Sequence, residues 1–414
     1  MIIGGGASGL MAAIATAKQL KKTGKQANVT ILERCDKVAR KLLATGNGRC
    51  NLTNMNMGIE FFHGNNLEIV EKILSKFTLT DTLEFFENIG LMIKKEADGK
   101  VYPYSLQASA VLDVLRNAAL DLGVVEKCSF EVVSLSELRK GFMIKSKSGE
   151  TVNADIVIMA AGGCASPKLG SNGTGHRLIE SVGHRTSEVF PAITQVKTEP
   201  EIVKSLQGIK VDGILSLKIG NKQVHEESGE VLFTEYGISG PVAFNIARKV
   251  GEEVKSKGGR ADITVSIDLI PEMSGDEILN MLIKRAERYK GKIAEHFVLG
   301  LINKRVGQAV LKISDIKLAD NVADLKIEQL AKLAKNFKGM KLKCIGTQSF
   351  QNAQVTAGGA LLEEFSGETL ESLKNPELFA CGEILDVDGD CGGYNLQWAW
   401  SSGYVAGHEA AEKI

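Results

Sequence analysis

The chain opens with MIIGGGASGL, a Gly4-x-Gly6-x-x-Gly9 pattern held between an apolar run and a helix-forming one. Glycine-rich turns match this pattern by chance, so its flanks carry the argument. Ile2 and Ile3 begin a short apolar strand. ASGLMAAIATAKQLKK continues as a helix with Leu10, Ile14 and Ala17 on one apolar face and Gly24 just past its end. NVTILE (28–33) then reads as a buried parallel strand. It ends in Glu33, 24 positions after Gly9, near the spacing at which an acidic residue meets a ribose hydroxyl. In such a unit Gly4 permits the tight turn, Gly6 lets backbone approach a pyrophosphate, and Gly9 lets helix pack on strand. The helix N-terminus, opened by Ala7 and Ser8, stabilises phosphate charge. These features predict an α/β fold with a bound dinucleotide.

FAD and NAD sites share that fingerprint, so later segments must discriminate. SFEVVSL (129–135), the hairpin GFMIKSKSGETV (141–152) and NADIVIMAAGG (153–163) read as a β-meander returning to a buried strand. The strand ends in Ala161, Gly162 and Gly163, small residues that let the chain pass close to a cofactor. Near the other end, LFAC (378–381) is another buried strand, followed by Gly382 and Glu383, and a helix opens near Tyr394. GSNGTG (170–175) follows no clean strand, so no second fingerprint supplies a dedicated nicotinamide domain.

This order is similar to that of flavoproteins with two dinucleotide-binding domains. The resemblance implies that Gly382 and Glu383 contact the ribityl or phosphate region. It also aims the final helix, through Gly393, Tyr394, Asn395 and Leu396, at the flavin pyrimidine, where reduction places negative charge. RKLLATGNGRCNLTN (40–54) would cross the pyrophosphate and return beside the isoalloxazine. Asn47, Gly48, Arg49, Cys50 and Asn51 would then reach the flavin edge, with Arg34 and Lys41 nearer the phosphates. Val132, in the meander, completes the expected cofactor contacts.

RKLLATGNGRCNLTN together with GEILDVDGDCGGYNLQWAWSSGYVAG closely resembles the BaiN/RdsA-type (YhiN-like) NAD(P)/FAD-dependent oxidoreductases, with which an aminoacetone oxidase is grouped. VYPYSLQASAVLDVL (101–115), SPKLGSNGTGHRLIESVGH (166–184), LFTEYGISGP (232–241) and TAGGA (356–360) extend the likeness nearly end to end. Glu235 stands where many members have histidine, so no role of that histidine is carried over. The expected fold is a Rossmann-like flavoprotein with two dinucleotide-binding domains, an inserted β-rich domain and a small helical subdomain. FAD-binding segments are expected at 1–190 and 356–414. Alternating stretches such as GILSLKIG and ADITVSIDLI make 191–270 β-rich, amphipathic repeats make 271–337 helical, and 338–355 returns as strands. Clefts between such domains are natural substrate sites.

Lysine plus arginine equals aspartate plus glutamate at 50 each, so net charge is zero. That speaks against nucleic-acid or membrane partners that rely on a basic field. Seven cysteines form no C-x-x-C pair, which predicts reduced thiols, no dithiol centre and no metal site. Apolar runs fall short of the ~20 residues of a membrane span, and Met1 leads almost directly into a strand. A cytoplasmic protein is expected.

The flavin would carry the electrons and the protein would orient substrate. Arg49 is the leading candidate for stabilising reduced flavin or an anionic substrate, and Tyr394 the second. His176 either borders the substrate cavity or simply starts a helix. Trp398 and Trp400 read as core or interface residues, and Cys50 has no partner thiol. The expected activity is FAD-dependent reduction of an unsaturated or carbonyl-conjugated small molecule, with NAD(P)H as a transient donor. Bile-acid or steroid substrates are implied by the resemblance alone. The alternatives are an oxygen-dependent oxidase of a small amine such as aminoacetone, and a flavin- or RNA-binding protein without turnover. Oligomeric state is left open.

Overall fold

The structure is a computed structural model that describes residues 1–258 and 261–414. The chain divides into two compact units, Met1–Ala192 with Ser349–Ile414, and Ile193–Gln348.

The first unit is built on a five-stranded parallel sheet. Its order is Leu378–Ala380, Val157–Met159, Ile2–Ile3, Thr30–Leu32 and Val125–Lys127. The opening strand has only two residues, yet it is central: Ile2 pairs with Ile158 on one side and Ile31 on the other. Strands covered on both faces are apolar throughout, which is why three of the five are fully buried. The expected meander forms beside this sheet as Val132–Glu137, Phe142–Ser146 and Thr151–Ala154.

The first helix, Ala7–Thr23, ends at Gly24, which takes a left-handed φ of 72° and bonds back to Leu20 O. The final helix, Tyr394–Glu412, lies along it. Gly403 sits over Ser8 and Gly407 over Ala12, so the two helices run parallel. A Cβ on Gly403 would come within 2.5 Å of Ser8 O, and one on Gly407 would overlap Ala12 O. Thr16 Oγ1 donates to Ala12 O at 2.8 Å and to Gly407 O at 2.9 Å, stitching the two backbones together.

A buried polar cluster ties the return segment to the rest of the unit. His184 Nδ1 lies 3.1 Å from Glu364 Oε2, its Nε2 lies 2.9 Å from Ser372 Oγ, and its ring stacks on Phe365. Arg185 Nε donates to Glu364 Oε1 at 2.6 Å, and Lys374 Nζ pairs with the same oxygen at 2.9 Å. Burial pushes the Glu364 carboxyl up, but hydrogen bonds from Arg185 and Lys374 win and hold it at about 2. Burial keeps the His184 imidazole below its ordinary range.

The second unit is a closed antiparallel barrel. Around the wall run Val196–Thr198, Gly237–Ser239, Lys222–Thr234, Lys210–Ile219, Ile263–Asp268 and Met340–Thr347, which closes on the first strand. Closure leaves no free sheet edge. Helices Gly275–Arg288, Lys304–Ile313 and Ile327–Lys338 form where apolar periodicity places them. A long helix, Pro241–Ser256, falls inside the stretch expected to be β-rich, as does the short Pro200–Val203. Pro241 at its first position and the buried set Val242, Ala243, Ile246, Ala247 and Val250 explain it. Barrel and helices share one core, in which Leu217, Phe233 and Ile267 join Phe297 and Leu333. All seven cysteines are free. Among the described residues no helix is long and apolar enough to cross a membrane.

Two outcomes follow from these contacts. Gly407→Leu should destabilise the first unit by about 1–3 kcal/mol, read as a lowered urea midpoint, because the new side chain has no space beside Ala12. Glu364 titrates lower in the folded chain than its ordinary value of 4.5, so its stabilisation is complete above that value and is lost as pH falls toward 2. Acid titration of Glu364→Gln should lack that loss, whereas an identical acid limb would count against the cluster.

Candidate active site

Three turns from distant parts of the chain meet at one end of the parallel sheet. The first is Gly4–Gly9. Gly4 has φ 107°, and a Cβ there would overlap Ala160 O. A Cβ on Gly9 would overlap Gly4 O. Gly6 differs: a Cβ there meets nothing within 4 Å. It precedes the first helix and offers no side-chain cap, and no acidic residue occupies the first turn. The helix therefore presents unpaired N–H groups and the positive end of its dipole to open space.

The second turn is Ala161–Gly163 and the third Gly382–Glu383. Gly382 has φ 77° and sits against Ser8 Oγ. Ser402 Oγ accepts from its N–H at 2.9 Å, and Trp398 Nε1 donates to its carbonyl at 3.1 Å. Glu383 Oε1 accepts from Thr356 N at 2.8 Å, and Glu383 Oε2 pairs with Lys41 Nζ at 2.7 Å. Thr356 Oγ1 in turn accepts from Cys164 N and Ala165 N, at 2.8 and 2.9 Å. A Cβ on Gly163 would crowd both Thr356 and Glu383. Lys41, expected near the phosphates, and Glu383, expected at the ribityl or phosphate region, thus form one ion pair.

A second cluster surrounds the 45–51 loop. Gly46, Asn47, Gly48 and Cys50 all have left-handed φ, between 56° and 83°, which folds the loop into a tight, strained coil. Arg49 lies over the Tyr102 ring, 4.6 Å from its centroid, with Nη2 3.4 Å from the Tyr102 hydroxyl. Burial raises the Tyr102 phenol despite the nearby Arg49 charge. Asn51 Oδ1 is buried without a hydrogen-bond partner. The strand Thr53–Asn54, next along the chain, holds the start of the final helix: Gly393 packs on Thr53, and Asn54 Nδ2 donates to Gly392 O at 2.9 Å. The final helix, like the first, begins at a glycine and has no acidic residue in its first turn. Trp400 Nε1 donates to Leu52 O at 2.9 Å, so one helix positions both clusters through two indoles.

The family profile of the HI0933-like protein Rossmann domain matches residues 1–409. The chain belongs to that family. It is 38% identical over 412 residues to a 3-dehydro-bile acid delta(4,6)-reductase of Clostridium scindens, covering 100% of this chain and 98% of that protein. It is 26% identical over 416 residues to a ribosomal RNA dihydrouridine synthase of Escherichia coli, covering 99% and 97% respectively. In fold alone it is similar to the quinol fumarate reductase FrdA of E. coli, with a TM-score of 0.50 at 15% identity over 100% of this chain and 69% of that one.

The protein is an FAD-dependent oxidoreductase, and its residues fit that cofactor. The open space at Gly6, the two uncapped helix starts and the orphaned Asn51 oxygen all await a polar ligand. Glu33 is 8% exposed, and its oxygens accept from Gly5 N and Cys35 N, each at 2.8 Å. Two of about four acceptor positions are thereby used, leaving capacity for a ribose hydroxyl. Arg34 donates to Gly170 O at 3.2 Å and pairs with Glu131 at 3.4 Å. Val132 is buried in the core.

Tyr394 is an anchor: its ring stacks on Phe61 at 4.5 Å, its hydroxyl donates to Asn56 O at 3.2 Å, and burial pushes the phenol to about 12. Asn395 clamps Gly389, accepting from its N–H and donating to its carbonyl, while Leu396 packs on the core. The Cys50 thiol is fully buried and pushed up to about 12, which removes it as a nucleophile. The sequence reading overlooked Thr356 and Tyr102. Both lie inside quoted signature stretches, but nothing local distinguishes them from other strand residues.

Gly6→Ala should leave stability within about 0.5 kcal/mol of the parent, because its Cβ meets no protein atom. It should nevertheless weaken FAD binding at least tenfold, measured by flavin fluorescence. Gly9→Ala, which overlaps Gly4 O, should instead lower the melting temperature of the FAD-free protein.

Proposed function

We propose that this flavoenzyme uses NAD(P)H to saturate a carbon–carbon double bond conjugated to a carbonyl, in a small apolar molecule of the bile-acid or steroid type. The observation that carries the reading is the 38% identity across the full chain to a protein named for delta(4,6)-reduction of a 3-dehydro-bile acid. The dihydrouridine named for the 26% relatives is likewise the product of saturating a bond conjugated to a carbonyl, which supports the reaction type. A net charge of zero favours a small substrate over RNA.

Bound FAD would supply the hydride-transferring group. The chain's own residues do the rest. The uncapped N-terminus of the first helix would hold diphosphate charge, and the Lys41–Glu383 pair lines the same end of the sheet. The uncapped start of the final helix would stabilise negative charge on a reduced flavin. Arg49, held on the Tyr102 face, is the cation available to an anionic substrate or to reduced flavin. Among the described residues no cluster of His, Cys, Asp and Glu is arranged as a metal site.

The test is anaerobic mixing of the yellow holoprotein with NADH and then NADPH. Bleaching by either, reversed by a 3-oxo-4-ene steroid acid and not by a saturated analogue, is the expected result. A flavin that neither donor reduces, with peroxide released from a small amine, would sink the reading in favour of an oxidase. Arg49→Gln should slow the steroid-driven reversal about tenfold or more while leaving the oxidised spectrum unchanged.

A further inference from the structure

His176 is 7% exposed, and its Nε2 has no hydrogen-bond partner. A buried polar nitrogen left unpaired costs roughly 1–3 kcal/mol, so such groups are normally satisfied. The position of this one is specific. His176 lies in the first turn of the helix Thr174–Ser181. Gly173 N donates to Gly163 O at 3.0 Å. A Cβ on Gly175 would lie 2.7 Å from Ala161 Cβ and 2.6 Å from Ile384 Cδ1. The two glycines just before the histidine are therefore seated against the Ala161–Gly163 turn and against Ile384, the residue that follows the Gly382–Glu383 turn. Its other nitrogen, Nδ1, faces Cys164 Sγ at 3.8 Å, which leaves Nε2 as the unspent one. Burial lowers its proton affinity, against the opposing fields of Glu383 and Glu180, so the ring is neutral and carries a single N–H.

We propose that His176 is a cofactor-binding residue whose Nε2 hydrogen-bonds an oxygen of the chain of hydroxyls and phosphates that joins the two rings of FAD. The assignment rests on the FAD site described above and on no choice of substrate. A neutral imidazole donor suits this place, because it satisfies an oxygen without adding a buried charge beside the Lys41–Glu383 pair.

The test compares parent, His176→Phe and His176→Gln proteins, each stripped of FAD and titrated with it by quenching of flavin fluorescence. Phe fills the site without a donor, whereas Gln carries an amide N–H at about the reach of Nε2. The expected result is an FAD dissociation constant raised about tenfold to a hundredfold in His176→Phe and largely restored in His176→Gln. The FAD-free His176→Phe protein should melt no lower than the parent, since an unpaired polar atom has been removed. Equal FAD affinity in all three proteins overturns the assignment. So does a His176→Phe protein whose FAD-free form melts lower in proportion to its lost affinity, because that marks a purely structural role. A parent chain that takes up no FAD overturns both the assignment and the cofactor site beneath it.

Discussion

The contact between the first and the final helix is the constraint on which the rest of the first unit depends. It joins residues almost 400 positions apart in a chain of 414, and it is made backbone to backbone. Gly403 and Gly407 bring the later helix against Ser8 and Ala12, and Thr16 binds carbonyls on both sides. Dispersion at such short range is strong because many atoms meet at once. Once the helices are parallel and in register, Trp398 and Trp400 have fixed targets. One indole holds Gly382 and the other Leu52, so two of the segments expected to meet the cofactor are set by a single helix.

That register also sets the electrostatics. Because Ser8 faces Gly403, the final helix starts about eight residues beyond the first, an offset of roughly 12 Å at 1.5 Å per residue. Two positive helix ends therefore point the same way at different depths. Two of the fixed charges nearby are paired, Lys41 with Glu383 and Arg34 with Glu131, while Arg49 lies over the Tyr102 ring, which carries no compensating charge. With Lys41 and Arg34 already paired, the helix dipoles are left to meet phosphate charge. Backbone dipoles need no side-chain ordering when a ligand binds, which favours a long polar cofactor over a compact anion.

Strain is concentrated where the chain must turn back on itself. The 45–51 loop holds Asn47 and Cys50 in left-handed conformations, and a β-carbon makes these costly. Tyr102 backs the loop, lying under Arg49 and 3.4 Å from the place of a Cβ on Gly46. The buried Glu364 cluster fixes the return segment of the same unit by charge-assisted hydrogen bonds.

The local elements and the cofactor class are written in the sequence. Gly4, Gly6 and Gly9, the apolar faces of the helices and the small residues after two strands state their roles through backbone sterics and periodicity, which are local properties. The parallel sheet, the meander and three of the second unit's helices were legible for that reason. The helix Pro241–Ser256 carried a readable period but was masked by the alternating stretches around it. Pairing emerges only when the chain is folded. Barrel closure, the meeting of Lys41 with Glu383, the seating of Arg49 on Tyr102 and the anchoring of Tyr394 on Phe61 all join residues far apart in sequence. A side chain's burial and its partner are set by elements that arrive from elsewhere in the chain, and no local pattern encodes which they will be.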